Sequence, residues 1–169
     1  MNQADFLNKV LPFKDKVFRL AKRLLISRDE AEDATQELYL KLWKNKEKLA
    51  EYNNVEAFAM TMTKNYCLDQ LKAKRSANLK LVHSNYKDPA ISLQRDIELK
   101  DSVARVHKLI AALPEKQKII IQLRDIENYE FEEIGKILDL KATAVRVALS
   151  RARKTIRQQL IKQHNYGIS

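Results

Sequence analysis

The sequence predicts an all-α protein with two small helical domains joined by a linker, the second domain containing a helix-turn-helix. Glycine occurs only twice and proline three times in 169 residues, far below their average usage of about 7% and 5%. Hairpin turns, phosphate-binding loops and doubly wound sheets all need glycine where φ is positive. Apolar residues instead recur at helical spacing, and no segment alternates as a strand does.

The amino-terminal domain is predicted over residues 1–75 and opens with two helices. Apolar side chains recur at helical spacing over residues 3–26, and Pro12 ends a first short helix and lies in the first turn of the next. Ser27, with a glutamate three residues later, has the pattern of a capping box. It predicts a further helix that runs to about Leu49.

A second start signal at Asn53 predicts a helix that ends near Arg75. Its apolar positions are expected to form one stripe: Val55, Phe58, Ala59, Met62 and Tyr66. Residues 76–95 keep no sustained period, which predicts a linker. The carboxy-terminal domain is then predicted over residues 96–169.

Helical spacing returns in this second domain at Leu99, Val103, Val106, Ile110 and Leu113. Pro114 opens the next helix, which is predicted to end at about Leu123. A short amphipathic helix, a break over residues 139–141 and a long basic helix from Ala142 to about Gln163 follow. A short helix, a tight turn and a longer basic helix form the helix-turn-helix layout.

The residues of this layout fit DNA binding. Gly135 lets the second helix approach closely, and Leu140 and Val145 are expected to fill the corner. Residues 141–163 hold seven basic and no acidic side chains. Early positions of the helix are expected to reach base edges: Lys141, Thr143, Ala144, Arg146, Val147 and Ser150. Later positions are expected to meet phosphates: Arg151, Arg153 and Lys154.

Charge is unevenly distributed along the chain. Thirty-two basic and 22 acidic residues give a net charge of +10, which favours a polyanionic partner, nucleic acid before membrane. Residues 29–37 nevertheless carry five carboxylates, a candidate docking surface for a basic protein. The helix to Arg75 mixes basic, amide and aromatic side chains suited to single-stranded nucleic acid, although Met62 and Tyr66 also fit a plain core role.

The sequence lacks the residues that several classes of protein require. The single cysteine, Cys67, excludes an intrachain disulfide and a CxxC metal knuckle, and the three histidines have no metal-ligand spacing. No GxSxG nucleophile motif occurs. The longest apolar run, residues 109–113, is far too short to span a bilayer. We therefore expect a cytoplasmic protein that is not an enzyme, with no metal, no cofactor and no membrane insertion.

Several motifs together resemble the bacterial sigma factors of RNA polymerase. Residues 29–37, followed by Leu42 and Trp43, resemble the helix that binds the polymerase, and residues 62–72 resemble the helix that binds the promoter −10 element. Three further segments resemble the −35-binding domain of these factors: residues 113–117, 131–135 and 149–154. The two-domain plan is similar to the extracytoplasmic-function (ECF) group of the sigma-70 family.

The resemblance implies partners and site residues. Core RNA polymerase is expected to receive the first domain on the clamp helices of its largest subunit, and to contact the second at the flap of the second-largest subunit. The clamp-binding residues are expected to be Asp33, Gln36, Glu37, Leu40 and Trp43. The −10 residues are expected to be Lys64, Asn65, Asp69, Lys72 and Arg75, and the helix that carries them is expected to hold a flipped base. The linker is expected to run toward the RNA exit path, the basic helix to enter the −35 major groove, and an anti-sigma factor to regulate the protein.

Three residues depart from the family pattern. Asp139 stands where glycine is usual in the turn, and aspartate tolerates the left-handed conformation better than most residues. Val147 and Ala148 replace a polar and basic pair, which removes hydrogen-bond donors from the recognition helix; contact with thymine methyls is a substitute. A stand-alone helix-turn-helix regulator explains the second domain equally well, and a helical scaffold or anti-sigma-type protein is a further alternative.

Overall fold

The structure, a computed structural model, describes residues 2–80 and 102–167. No strand occurs within these two ranges, and the predicted all-α class is confirmed. In chain order the helices are α1 (Gln3–Val10), a 3₁₀ turn (Leu11–Phe13), α2 (Lys14–Leu25), α3 (Arg28–Lys44), α4 (Lys46–Leu49), α5 (Val55–Lys80), α6 (Ser102–Ala111), α7 (Glu115–Ile121), a π-helical turn (Gln122–Ile126), α8 (Phe131–Leu138) and α9 (Ala142–Gly167).

Side-chain caps fix where the amino-terminal helices begin. The Ser27 hydroxyl accepts a hydrogen bond from the Glu30 N–H at 3.3 Å, as the start signal predicts. For α5 the cap is Asn54, whose side-chain oxygen accepts from the Ala57 N–H at 2.9 Å. The cap therefore lies one residue after the predicted Asn53. These bonds satisfy backbone donors that the first helical turn leaves without partners.

Two predicted helices are interrupted. The helix expected to reach Leu49 breaks at Asn45, whose amide donates back to the Lys41 carbonyl at 2.8 Å. The helix expected to end at Leu123 becomes a π-helical turn, in which the Glu127 N–H bonds to the Gln122 carbonyl at 3.0 Å. The bond from the asparagine side chain to the backbone leaves no mark on the apolar spacing, and the π-helical turn lies at the end of its helix, so periodicity alone misses both breaks.

Helix α5 ends at Lys80, five residues beyond the predicted Arg75. The first part of the predicted linker 76–95 is therefore helical, and the rest lies outside the described residues, as does Leu99. The structure also buries a different stripe of α5 from the one predicted. The most deeply buried side chains on this helix are Met60, Thr63 and Cys67, each 0% exposed, while Met62 and Tyr66 are only half-buried.

The buried ridge of α5 is displaced because this helix packs on two sides, against α2 and α3 and against α8. Burial raises the pKa of the Cys67 thiol to about 12, so the thiol stays protonated at neutral pH.

The buried apolar residues from both halves of the chain belong to one continuous cluster. The two sets of helices are thus in direct contact.

Ile26 provides a stability prediction. It joins α2 to α3 at φ 70° and ψ −43°, and the Ser27 N–H bonds to the Leu25 carbonyl at 2.8 Å. This is a γ-turn of the rare, strained hand, and positive φ costs a β-branched residue about 1–3 kcal/mol. Because the side chain is 70% exposed, Ile26→Gly should raise the free energy of unfolding by about 1 kcal/mol.

Denaturant unfolding monitored by circular dichroism measures this change. The control is Ile161→Gly, which removes another exposed isoleucine within α9 and should lower stability by about 1 kcal/mol through loss of helix propensity. Destabilisation by both substitutions would contradict a strained turn at Ile26.

Candidate nucleic-acid and protein-binding surfaces

The turn of the helix-turn-helix depends on two backbone positions. Asp139 ends α8 in the left-handed conformation, at φ 54° and ψ 53°, as predicted for a residue that replaces glycine here. The Leu140 N–H then bonds to the Gly135 carbonyl at 2.8 Å. A Cβ atom on Gly135 would lie 2.5 Å from the Leu140 carbonyl oxygen. The predicted close approach at Gly135 is therefore present.

Helix α9 has a buried face and an exposed face. Val145, Leu149 and Ala152 are buried at helical spacing, against α7 and α8. Among the predicted DNA-binding residues, four lie on the opposite face and are exposed: Thr143, Val147, Ser150 and Lys154. Lys141, Arg146 and Arg151 are also exposed, and Ala144 is half-buried. The recognition face is therefore open to a ligand.

Two arginines of α9 have partners within the protein. The Arg146 guanidinium lies over the ring of Phe131, 5.0 Å from its centroid. Arg153 forms an ion pair with Asp125, including an Nε–Oδ2 hydrogen bond of 3.1 Å, and this pair raises the pKa of Arg153. Arg153 thus faces the π-helical turn, away from the exposed stripe. A phosphate contact by Arg153 therefore stays a prediction.

The predicted −10 residues on α5 divide into two sets. Asn65, Asp69 and Lys72 are exposed and share one face at i, i+4 and i+7. Arg75 is exposed on a neighbouring face. The Lys64 ammonium instead donates to the carbonyl of Ile137 in α8 at 2.9 Å, and burial lowers its pKa.

The acidic helix α3 exposes the residues predicted to bind the polymerase. Asp33, Gln36, Glu37 and Leu40 are exposed, and Leu40 keeps 55% of its surface in solvent. Trp43 differs, because its ring packs edge-on against Phe6 at 5.1 Å and is covered by the Lys46 ammonium at 3.7 Å. Trp43 is half-buried, so it also stabilises the fold.

Contacts between the two sets of helices were not predicted. Arg19 donates to the carboxylate of Glu127 at 2.7 and 2.9 Å, and the Glu127 side chain is only 2% exposed. This hydrogen bond raises the pKa of Arg19. The Lys16 ammonium lies over the ring of Tyr129 at 5.0 Å and 3.4 Å from Glu56.

A third cation of α2 extends the same interface. Arg23 donates through Nε to Gln122 at 2.9 Å, and its Nη2 lies 2.7 Å from Nδ1 of His107. Burial lowers the pKa of Arg23. Burial lowers that of His107 too, and the neighbouring Arg23 charge adds to the effect. The sequence signal was the spacing of positions 16, 19 and 23, which puts three cations on one face of α2.

Charge reversal should open this interface. Arg19→Glu sets two carboxylates against each other at a site where one is 2% exposed, and such an unpaired buried charge costs several kcal/mol. We expect small-angle X-ray scattering to give a larger radius of gyration. The charge-swapped double variant Arg19→Glu, Glu127→Arg should restore the wild-type radius.

The control is Arg28→Glu, which reverses an exposed arginine that pairs with Glu32 within α3 and should leave the radius unchanged. An unchanged radius in Arg19→Glu would contradict a role for the pair in holding the domains together.

Two family models match the chain, and together they span most of it. The model of sigma-70 region 2 matches residues 10–77, and the model of sigma-70 region 4 matches residues 104–156. The chain belongs to the sigma-70 family. The resemblance to sigma-70 factors found in the sequence is thereby confirmed, and its ECF group rests on the relatives that follow.

Two curated relatives of this sigma-70 family member are named as ECF sigma factors. SigE of Mycolicibacterium smegmatis is 28% identical over 151 residues, which cover 88% of this chain and 58% of SigE. SigW of Bacillus subtilis is 24% identical over 170 residues, which cover 94% of this chain and 90% of SigW. The chain thus spans little more than half of the first relative and nearly all of the second.

Solved structures share the fold of this sigma-70 family member. The sigma factor RpoE of Bartonella quintana, solved with the anti-sigma factor NepR, aligns with a TM-score of 0.73 at 19% identity, covering 92% of this chain and 96% of RpoE. CnrH, solved with the cytosolic domain of CnrY, gives 0.68 at 20% identity over 95% of this chain and 90% of CnrH.

Two features are absent from residues 2–80 and 102–167. No helix there has both the length and the apolar content needed to cross a membrane. No group of three metal-binding side chains lies close together in the same part of the chain.

Proposed function

We propose that this protein binds core RNA polymerase in the cytoplasm and directs promoter-specific initiation of transcription. The observation that carries the proposal is the presence of sigma-70 regions 2 and 4, in that order, in one chain. A stand-alone regulator accounts for the helix-turn-helix alone and gives no role to region 2. The chemistry of RNA synthesis belongs to the polymerase, and this chain supplies binding and positioning.

We propose a different binding partner for each part of the chain. Residues 1–75 bind the clamp helices and the −10 element, residues 96–169 bind the −35 element and the flap, and residues 76–95 connect them. The acidic face of α3, with Leu40 exposed about one turn beyond its last carboxylate, Glu37, suits a basic surface with an apolar contact. Opposite charges across such an interface speed association and exclude wrong partners.

The proposed promoter contacts use the exposed faces of two helices. The recognition helix α9 enters the −35 major groove, while Asn65, Asp69, Lys72 and Arg75 of α5 meet the opened −10 strand. A base is captured most easily where the strand is already unpaired. Val147, 50% exposed on α9, supplies an apolar contact of the kind that thymine methyls accept.

Binding both elements at once requires the domains to separate. The −10 and −35 elements lie about 25 base pairs apart, which is about 85 Å of B-DNA. In the structure α5 and α8 are in contact through the Lys64 bond to Ile137. We therefore propose that core polymerase takes up an opened form of the protein. As a separate proposal, an anti-sigma factor is the partner that holds the protein inactive.

Charge reversal on α3 should weaken polymerase binding. Glu37→Lys changes an exposed carboxylate at the centre of the proposed clamp surface, and like charges across an interface cost several kcal/mol. We expect at least a tenfold loss of core polymerase from a pull-down with the tagged protein. Trp43 is left intact in this test because its ring packs against Phe6.

The matched control is Glu51→Lys, the same charge change at an exposed residue outside α3. It should retain core polymerase at the wild-type level. Equal retention by both variants would show that the acidic face of α3 does not dock on the polymerase.

A further inference from the structure

The ring of Phe131 contacts two arginines from different elements. Phe131 is the first residue of α8 and is half-buried. The guanidinium carbon of Arg124, from the π-helical turn, lies 4.5 Å from the ring centroid. That of Arg146, from the early turns of the recognition helix α9, lies 5.0 Å from it. One aromatic ring therefore links the π-helical turn to the recognition helix α9.

The ring itself is held in place by its neighbours. Glu130, just before it, forms a capping box with Glu133 that fixes the start of α8. Arg124 donates to the carbonyl of Tyr129 at 2.9 Å and lies 3.9 Å from Glu130. These contacts fix the start of α8, which carries the ring, and hold Arg124 beside it. Arg146, by contrast, is exposed on α9, and Phe131 is the partner that the structure gives its guanidinium.

A ring contact restricts an arginine in a way that matters for base reading. The guanidinium is planar and presents its donors in a fixed fork, and it stacks on aromatic faces. Reading a guanine needs two of those donors aligned with O6 and N7 in the plane of the base. An arginine whose rotamer is already restricted loses less freedom on binding.

We propose that Phe131 is a positioning residue for Arg146 and thereby sets recognition of one guanine in the −35 element. The proposal rests on the proposed function, because it takes α9 as the −35 reader. Phe131 does not touch DNA in this account. Its effect is on the choice of base at one position, while overall affinity for DNA depends mainly on the phosphate contacts.

The test compares variants that separate the π-face from apolar packing. Phe131→Leu keeps an apolar side chain and removes the aromatic face, whereas Phe131→Tyr keeps the ring. Phe58→Leu makes the same change at a half-buried ring that packs at a tilt against Tyr52 in the other domain. Each full-length variant is assembled with core polymerase and given promoter fragments randomised over the −35 element. Bound fragments are then sequenced.

Wild type should enrich guanine at one −35 position, and Arg146→Ala should abolish that preference. Phe131→Leu should reduce it about two- to fivefold, the contribution of one exposed cation–π contact, and leave the other positions unchanged. Phe131→Tyr and Phe58→Leu should match wild type. If Arg146→Ala removes the preference and Phe131→Leu keeps it, the inference is overturned while the proposed function stands.

A second readout needs no promoter. In nuclear magnetic resonance spectra of the free wild-type protein, the side-chain Nε–Hε signal of Arg146 should be shifted upfield by the Phe131 ring current. The shift should disappear in Phe131→Leu, or in Phe131→Met should the leucine variant not fold. An unshifted wild-type signal would overturn the inference whatever the protein binds. Unchanged base preferences in Arg146→Ala would overturn it as well.

Discussion

Arg146→Ala should weaken binding of the holoenzyme to its −35 element by about 5- to 150-fold, because one bidentate base contact contributes about 1–3 kcal/mol of discrimination. Arg146 is exposed at the front of α9 and held over Phe131. The loss should be confined to promoters that keep one particular base pair. Equilibrium binding to the cognate −35 sequence and to single-base variants of it measures this effect.

Arg151→Ala serves as the control for charge. It removes a positive charge from another exposed position of α9, one predicted to meet phosphate. Binding should then weaken to a similar degree for every −35 sequence, and the slope of log K against log salt should fall by about one. A uniform loss in Arg146→Ala as well would contradict base reading by Arg146.

Gly135→Ala should destabilise the helix-turn-helix by about 1–3 kcal/mol, the usual cost of overpacking. Alanine is otherwise the better residue inside a helix by about 1 kcal/mol, so any net loss reflects the contact. That contact is with backbone, the Leu140 carbonyl oxygen 2.5 Å from the new Cβ, which cannot rotate away as a side chain does. The turn must shift, and α9 shifts with it.

Denaturant unfolding and −35 binding of the same variant should both report the change. Gly167→Ala, at the end of α9, is the matched substitution and should alter neither. Wild-type stability in Gly135→Ala would mean that the helices can move apart freely at this turn.

The helix-turn-helix could be predicted because its determinants are local. Gly135 and Asp139 each satisfy a steric requirement of a short turn, and the buried residues of α9 follow a simple period. The break at Asn45 and the π-helical turn from Gln122 were missed, because a side-chain bond to the backbone has no apolar period of its own and the π turn comes at the end of its helix.

The interface between the domains could not be predicted from the sequence. Arg19 and Glu127 are 108 residues apart. Charged residues on helices are usually solvated, so three cations on one face of α2 do not by themselves indicate a partner. Lys64 was predicted to bind DNA, and the structure adds a hydrogen bond from its ammonium to the Ile137 carbonyl of α8. The exposed clamp, −10 and −35 residues remain predictions for their ligands.

The most direct test of the account is run-off transcription from genomic fragments. The purified protein is mixed with sigma-free core RNA polymerase of its own host, and the 5′ ends of the transcripts are sequenced. We predict discrete start sites that share two upstream motifs at fixed spacing and that are lost with Glu37→Lys and kept with Glu51→Lys. An absence of transcripts, with duplex DNA still bound by the protein alone, would contradict the account and favour a stand-alone regulator.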